Sequence, residues 1–485
     1  MALKTAEEYK ESIGKINYKA FIGGKRIENV LEHPNTRPTI ETVAKTYELT
    51  VDPEYEELMT TTSHLTGEKI SRWTHVPGSV DDLVKRRQMN ILISPKTGNC
   101  YPNCGGTMSL QTLASVTYAM DQKLGTEYNK RFNNFLRYMQ ENDLSANQVM
   151  TDAKGDRSKR PLEQEHPDFY LHIVKKTADG IVVRGAKTGP EGCCAVHEHL
   201  VGPYMLFREG EEDYAVCFAV PAGTKGLTYI FQDAPMEVER RESGDIRTLG
   251  SPIYGEGLSS MYIFDDVFIP WERVFMCGEI EFIGELLAKS DIAFTNLCAG
   301  SCKVGWMDVI IGAAQTIAEY NGVSRAAHVV DKITEMIRIR ETSNACGAAG
   351  ALSGREEPPG SEVYLPDAVF SLMANLNTWS RFPELALLAA DLAGGAVVTM
   401  PSLSELQNPE TSQYVKKYLK GIASVPTEDR MRMLKLLQHW TAGPAAARVW
   451  HVGMPRAHLS SLYQRSRAGL EEKKKLAKEL AGIME

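Results

Sequence analysis

Positive charge is in short supply in this sequence. Its 485 residues carry 54 Lys and Arg against 62 Asp and Glu, a formal net charge of −8. Phosphate backbones are held by clustered basic surface, so no nucleic-acid partner is expected. Long apolar runs are also lacking. No window reads as the roughly 20 apolar residues that cross a bilayer, and the first fifteen residues hold no apolar run of signal-peptide length. The expectation is a cytoplasmic protein with no membrane contact. Neither Gly, at 39, nor Pro, at 23, is abundant enough for a fibrous repeat or wholesale disorder. The nine cysteines are an odd number and contain no CxxC pair. In a reducing compartment that argues against a disulfide framework and for burial or ligation.

What is present divides into three regions, expected as domains over 1–147, 148–280 and 281–485. The first is helical in pattern: residues 109–141 carry apolar side chains at helical spacing, and no Gly or Pro interrupts 128–143. The middle region changes period. Short β-branched or aromatic runs at 169–174, 180–183, 214–220, 227–231 and 260–268 alternate with turn signals such as Ala178-Asp179-Gly180 and Pro221-Ala222-Gly223. Such spacing suggests a compact barrel or sandwich. The third region returns to helical text at 305–320, 326–351, 364–391, 427–447 and 470–484, with Pro358-Pro359-Gly360 as a loop and Gly394-Gly395 as a helix stop.

Two cysteine pairs share a spacing of four, Cys100 with Cys104 and Cys298 with Cys302. On a helix, residues four apart lie on one face. Two such pairs converging could supply four sulfurs to an iron–sulfur cluster or zinc, although free Cys is also often plain core. Cys193-Cys194 reads as two small buried residues, and Cys217, Cys277 and Cys346 read as core. His197-Glu198-His199 offers two imidazoles, too few for a metal site, and each histidine reads as a hydrogen-bonded structural residue.

Several strings are more specific. Gln148-Val149-Met150-Thr151-Asp152-Ala153-Lys154-Gly155-Asp156-Arg157-Ser158 leads into the β region, and Gly185-Ala186-Lys187 precedes the His-Glu-His triplet. Phe264-Asp265-Asp266-Val267-Phe268-Ile269-Pro270 closes the region, Cys302-Lys303-Val304-Gly305 reads as a helix start, and Arg381-Phe382-Pro383 precedes Asp391-Leu392-Ala393-Gly394-Gly395. Together, nearly end to end, these resemble the family of 4-hydroxybutyryl-CoA dehydratase and the flavin-dependent 4-hydroxyphenylacetate 3-hydroxylases, with the dehydratase branch the better match. The resemblance implies an α+β, acyl-CoA dehydrogenase-like fold: N-terminal helical domain, middle β-barrel, C-terminal helical bundle.

The resemblance also implies FAD in a homotetramer. Its contacts would fall on Met150, Thr151, Lys154, Asp156 and Arg157, on the turn Gly189, Pro190, Glu191 and Gly192, and on Gly394 and Gly395. A polar turn with free amides and an Arg suits a pyrophosphate, and a Gly pair admits close backbone approach. In the dehydratase branch a [4Fe-4S] cluster is held by cysteines matching Cys100, Cys104 and Cys302 and by a histidine. That histidine position is Thr295 here, and Cys298 is the substitute ligand we expect. The branch's tyrosine falls on Ala299, and its two glutamates fall at or near Ser259 and Val452. The replacement acid–base candidates are Glu191, Glu256 and His451, with Lys303 matching a family lysine. Expected chemistry is dehydration or isomerisation of an acyl-CoA or similar acid. The alternatives are an aromatic monooxygenase fed reduced flavin by a reductase, and a non-catalytic electron-transfer flavoprotein.

Overall fold

The structure is a computed structural model of the full chain and describes residues 3–98, 101, 103–153, 155–232, 259–441, 465, 467–481 and 483. The described residues divide into two compact units. The first takes in those up to Phe294 together with Glu356–Leu365; the second takes in Thr295–Arg355 and the described residues from Pro366 onward.

In the first unit, β-branched and aromatic runs build two sheets. The larger has six strands in the order Lys25–Arg26, Ala20–Ile22, Leu227–Phe231, Ser259–Pro270, Gly180–Glu191 and His172–Lys176. The smaller has four, Val274–Cys277, Val216–Pro221, Glu198–Val201 and Ala146–Val149. Alternate residues of the long strands point inward, and Val183, Tyr229, Tyr262 and Phe264 of one sheet share a buried core with Val149, Val201 and Phe218 of the other. Phe264 meets Phe218 edge to face at 6.0 Å.

Three helices matter for the site. Val80–Thr97 is capped by the Ser79 hydroxyl, which accepts from the Asp82 amide at 3.1 Å, and is stopped by Gly98 in the left-handed region at φ 61°. Asn103–Leu124 is buried along most of its length. Ile283–Phe294 runs into the second unit as a π-helical stretch, Thr295–Cys302, and returns to α at Lys303–Tyr320.

In the second unit the π stretch lies against the helices Ala327–Leu352 and Ala368–Ala393. Gly300 and Gly347 make this possible: a Cβ on Gly347 would stand 2.3 Å from the Gly300 carbonyl oxygen. Widening a helix to π pairing frees carbonyls. Here the Thr378 hydroxyl donates to Ala299 O at 3.2 Å, and Ser301 Oγ donates to Asn296 O at 2.7 Å.

Several sequence expectations need correction. The N-terminal text is not wholly helical, because Ala20–Ile22 joins the large sheet parallel to Leu227–Phe231. Cys302-Lys303 opens no helix but sits inside a continuous one. Tyr364 belongs to a two-stranded hairpin of the first unit, and the following helix starts after the Asp367 cap. One helix, Ile280–Tyr320, is long and apolar enough by composition to cross a membrane, yet its most apolar window is 78% buried inside the protein. Residues 442–447 and 484, expected as helix, lie outside the described residues.

Candidate active site

The first unit contains a polar interior that the sequence pattern did not announce. Along the Asn103–Leu124 helix, Asn103, Thr107, Gln111 and Ser115 recur every four residues and form one stripe, all of them at most 1% exposed. Arg86, on the Val80–Thr97 helix, reaches this stripe. Its guanidinium donates through Nη2 to Gln111 Oε1 at 2.8 Å, while Nε and Nη1 have no partner among the described residues. Gln111 is held from behind by donating to the Tyr364 carbonyl at 2.5 Å. Asn90, one turn on from Arg86, donates to the Arg86 carbonyl at 2.8 Å and accepts from the Tyr101 hydroxyl. Both amide atoms of Asn103 and the Trp73 indole nitrogen are likewise buried without partners among the described residues.

A buried donor left unpaired costs about 1–3 kcal/mol, more when charged. Burial accordingly pushes the Arg86 pKa down to about 9, although the Tyr101 and Asp82 charges act to raise it. The guanidinium is therefore held charged at neutral pH, with donors aimed at an oxygen-rich or anionic group. At the far end of the stripe, Ser115 donates to the Glu357 carbonyl at 2.6 Å and accepts from buried Lys289 at 2.7 Å.

Next to this lie the turns expected to meet a flavin. Buried Lys187 donates to Met150 O at 3.1 Å, to Gly202 O at 2.8 Å and to the Asp152 carboxylate. Asp152 also accepts from the Tyr204 amide at 3.2 Å. The Thr188 amide donates to Thr151 O at 2.8 Å and its hydroxyl to Asp152 O at 3.1 Å. This clamp joins Met150 and Thr151 to Gly189–Gly192, which reads in the sequence as a turn but forms the irregular end of the strand Gly180–Glu191, with Gly189 and Gly192 at φ of 84° and 77°. Among the described residues, nothing lies within 4 Å of a Cβ built on Gly189. A small cleft on the Met150 and Gly202 side of the clamp is also lined by Gln148, Ser109, Thr112 and Ser290. Asp156 and Arg157 follow in an exposed turn, where Asp156 accepts from Ser158 at 2.7 Å and 3.0 Å.

The His-Glu-His triplet is complete within itself. His197 Nδ1 accepts from the Ser145 amide at 3.1 Å, and its Nε2 lies 2.8 Å from Ser12 Oγ. Glu198 accepts from both Arg273 terminal nitrogens, at 2.7 and 3.3 Å. His199 pairs with Asn147 Oδ1 at 2.7 Å and the Tyr229 hydroxyl at 2.8 Å. Burial pushes both histidines down to about 3, so both are neutral and engaged through both ring nitrogens. These are structural histidines. Among the described residues no three His, Cys, Asp or Glu side chains are grouped to hold a metal ion.

Of the four expected cluster ligands, Cys100 lies outside the described residues. Cys104 is half-buried in the first unit, and Cys298 and Cys302 are buried on the π turn of the second. Thr295 and Ala299, on the same turn, are buried too. Cys193 and Cys194 have sulfurs 3.7 Å apart in the core, where burial raises the Cys194 thiol well above its usual value. Burial also raises the Cys217 thiol to about 12. Cys277 and Cys346, expected as core, are only half-buried.

Lys303 is 3% exposed rather than at the surface, with Nζ 3.4 Å from the centre of the Trp306 ring, itself edge-on to Trp440 at 4.7 Å. Gly394 caps the Ala368–Ala393 helix at φ 69°, and no neighbour lies within 4 Å of a Cβ at Gly394 or Gly395. Lys154, Glu256 and His451 lie outside the described residues. The residues that sequence reasoning missed are Arg86, Asn90, Asn103 and Gln111. For Asn103 and Gln111 the available signal was a polar residue at every fourth position of one helix; Arg86 and Asn90, in charged and polar text, carried none.

Family comparison gives these features a class. Residues 5–276 match the 4-hydroxyphenylacetate 3-hydroxylase N-terminal family, and residues 287–482 match its C-terminal counterpart. The chain belongs to the 4-hydroxyphenylacetate 3-hydroxylase family, with its acyl-CoA dehydrogenase-like fold. Within it, the chain is 39% identical to the 4-hydroxybutyryl-CoA dehydratase/vinylacetyl-CoA-Δ-isomerase of Clostridium aminobutyricum, over 99% of this chain and 100% of that one. An oxygen-tolerant archaeal 4-hydroxybutyryl-CoA dehydratase from N. maritimus superposes with a TM-score of 0.95 at 36% identity, covering 100% of this chain and 96% of that one. The oxygenase component of 4-hydroxyphenylacetate 3-monooxygenase complexed with FAD superposes with a TM-score of 0.83 at 25% identity, over 98% and 99% of the two chains.

Proposed function

We propose that this protein is a flavoenzyme that binds FAD and a [4Fe-4S] cluster. Its substrate is an acyl-CoA or a similarly activated acid, which it dehydrates or isomerises. The observation that carries the reading is the buried, charged Arg86 with two unpaired nitrogens, in a chain similar over its whole length to a 4-hydroxybutyryl-CoA dehydratase. The chain's own groups fit FAD at the Gly189–Gly192 turn: two glycines at positive φ, no described neighbour within 4 Å of a Cβ built on Gly189, and a neighbouring backbone fixed by Lys187 and Asp152. Bound flavin supplies an acceptor for one or two electrons, and an iron–sulfur cluster adds a second electron store.

Arg86 donates to an acceptor oxygen of the substrate, and Gln111 fixes the plane of the guanidinium. In the second unit, Lys303, buried over the Trp306 ring, is a candidate for meeting an anionic group. Burial keeps water from competing for these donors. For the cluster, the supporting feature is the donor chemistry of Cys298 and Cys302, two buried thiols one turn apart, with Cys100 and Cys104 completing the set. Thr295 and Ala299 stand where the dehydratase branch has a histidine and a tyrosine, so proton transfer here falls to other groups, with Glu191, Glu256 and His451 as the candidates. We further propose a cytoplasmic homotetramer.

The test is an absorption spectrum of anaerobically purified protein with iron, sulfide and flavin assayed on the same sample. Turnover is then measured on a CoA-thioester panel that includes 4-hydroxybutyryl-CoA and vinylacetyl-CoA. About four irons and four sulfides with one FAD per chain, lost in part in Cys298→Ala, is the expected result. FAD without iron sinks the cluster. The second reading, an aromatic monooxygenase using reduced flavin, is supported by the match to the 4-hydroxyphenylacetate 3-hydroxylase family and by the 27% identity to a 4-hydroxyphenylacetate 3-monooxygenase oxygenase component. Oxygen-dependent turnover of a phenol would establish it. Flavin and cluster without turnover on either panel would identify an electron-transfer protein.

A further inference from the structure

The His-Glu-His triplet takes no part in the function proposed above, yet its last member connects to the flavin turn. The ladder between Gly180–Glu191 and Ser259–Pro270 passes from Thr188 opposite Met261 directly to Glu191 opposite Ser259, so Gly189 and Pro190 are skipped. Pro190 has no amide hydrogen to give. The position of this stretch therefore depends on bonds from outside the ladder. On its N-terminal side the Lys187–Asp152 clamp supplies them. On its C-terminal side Asn147 does: its amide nitrogen donates to the Glu191 carbonyl at 2.6 Å and to the Tyr262 hydroxyl at 2.8 Å.

Asn147 is oriented in turn by His199. The two residues face each other in the parallel pair Ala146–Val149 and Glu198–Val201. Asn147 Oδ1 can only accept, so the hydrogen it receives sits on His199 Nδ1, at 2.7 Å. The other ring nitrogen carries no hydrogen and can only accept; it lies 2.8 Å from the Tyr229 hydroxyl, whose single hydrogen is shared between it and the Ala222 carbonyl at 2.6 Å. Asn147, His199, Tyr229 and Tyr262 are all at most 2% exposed. With water excluded, rotating the Asn147 amide would strand several buried partners together, so the chain has one low-energy arrangement.

We infer that His199 and Asn147 are positioning residues for the flavin: the imidazole fixes the Asn147 amide, and the amide fixes the Glu191 carbonyl and with it the Gly189–Gly192 turn. The inference rests on the reading of that turn as a flavin contact. Neither residue touches the flavin; each acts through the backbone of the turn.

The experiment compares wild type with His199→Phe, His199→Gln and Asn147→Asp. It measures the FAD dissociation constant by titrating apoprotein, the visible spectrum and midpoint potential of bound flavin, and the apoprotein melting temperature. His199→Phe, which offers no donor to Asn147, is expected to weaken FAD binding about tenfold and to shift the flavin band and potential. His199→Gln can still donate to Asn147 and is expected to stay near wild type, a rescue that general loosening of the fold would not give. Should His199→Phe fail to fold, Asn147→Asp decides. It still accepts from His199 but can no longer donate to the Glu191 carbonyl, so the same loss is expected. Folded variants with wild-type affinity, spectrum and potential overturn the inference while leaving the flavin reading intact. Wild type that takes up no FAD overturns both.

Discussion

Two buried polar regions of the same unit can be set side by side. Around Glu198–Val201, two histidines, a glutamate, an asparagine and two tyrosines are packed at interior density, with the ring nitrogens and carboxylate oxygens matched to partners. Around Arg86, the polarity is similar and the matching is not: two guanidinium nitrogens, both Asn103 amide atoms and the Trp73 indole nitrogen lack partners among the described residues. Completeness marks a structural device, since every group has exchanged water for protein. Incompleteness at a charged, buried group marks a place where something else must supply the acceptors. Polarity and burial alone do not separate scaffold from site, whereas the matching of donors to acceptors does.

The largest effect should come from breaking the complete region. Arg273→Met strands the Glu198 carboxylate, already raised above its ordinary range by burial, and should cost about 3–5 kcal/mol in denaturant unfolding. Arg86→Met should do the opposite to the fold. It removes an underpaired charge, so the melting temperature should hold or rise, while kcat/KM on the accepted substrate falls about a hundredfold, near 2.7 kcal/mol. Loss of stability in Arg86→Met, with turnover retained, would dissolve the contrast between the regions. In the second unit, Gly347→Ala drives a methyl group into the Gly300 carbonyl and should cost about 1–3 kcal/mol, read as a lower melting temperature.

The smallest effect is a slope. His197 and His199 sit near 3 in the fold, below the roughly 6.5 of an unfolded histidine, so the unfolded chain binds protons first. Their contribution is fully present above pH about 6.5 and is lost progressively as pH falls toward about 3. Stability should therefore drop between pH 7 and 5, and His199→Gln should flatten part of that drop.

These contrasts also explain what could be read without coordinates. Leu227–Phe231 was legible to the residue, because a β-branched and aromatic run between turn signals has few other uses. The segment proposed to meet a flavin and the proposed cysteine ligands stand out as strings shared with a family. Glu198–Val201 was not foreseen as a strand: its histidines read as hydrogen-bonded structural residues, and so they are, but their partners, Ser12, Ser145, Asn147 and Tyr229, and the Glu198 partner Arg273, come from distant parts of the chain. Arg86 was hidden for another reason: a lone Arg among Lys85 and Arg87 looks like a solvated face. The π turn could not be foreseen either. Its small residues fit an α-helix equally well, and the widening is supported by Thr378 and by the Gly300–Gly347 contact, both long-range. Ala20–Ile22 joins its sheet through the same kind of non-local pairing.

The most direct test of the central claim is a calorimetric titration of the purified holoprotein and its Arg86→Met variant with 4-hydroxybutyryl-CoA and, separately, 4-hydroxyphenylacetate. The account predicts that whichever ligand the wild type binds, the variant binds at least about tenfold more weakly at an unchanged or higher melting temperature. Equal affinity in a folded variant would contradict it, and the unmatched nitrogens of Arg86 would then not be ligand donors.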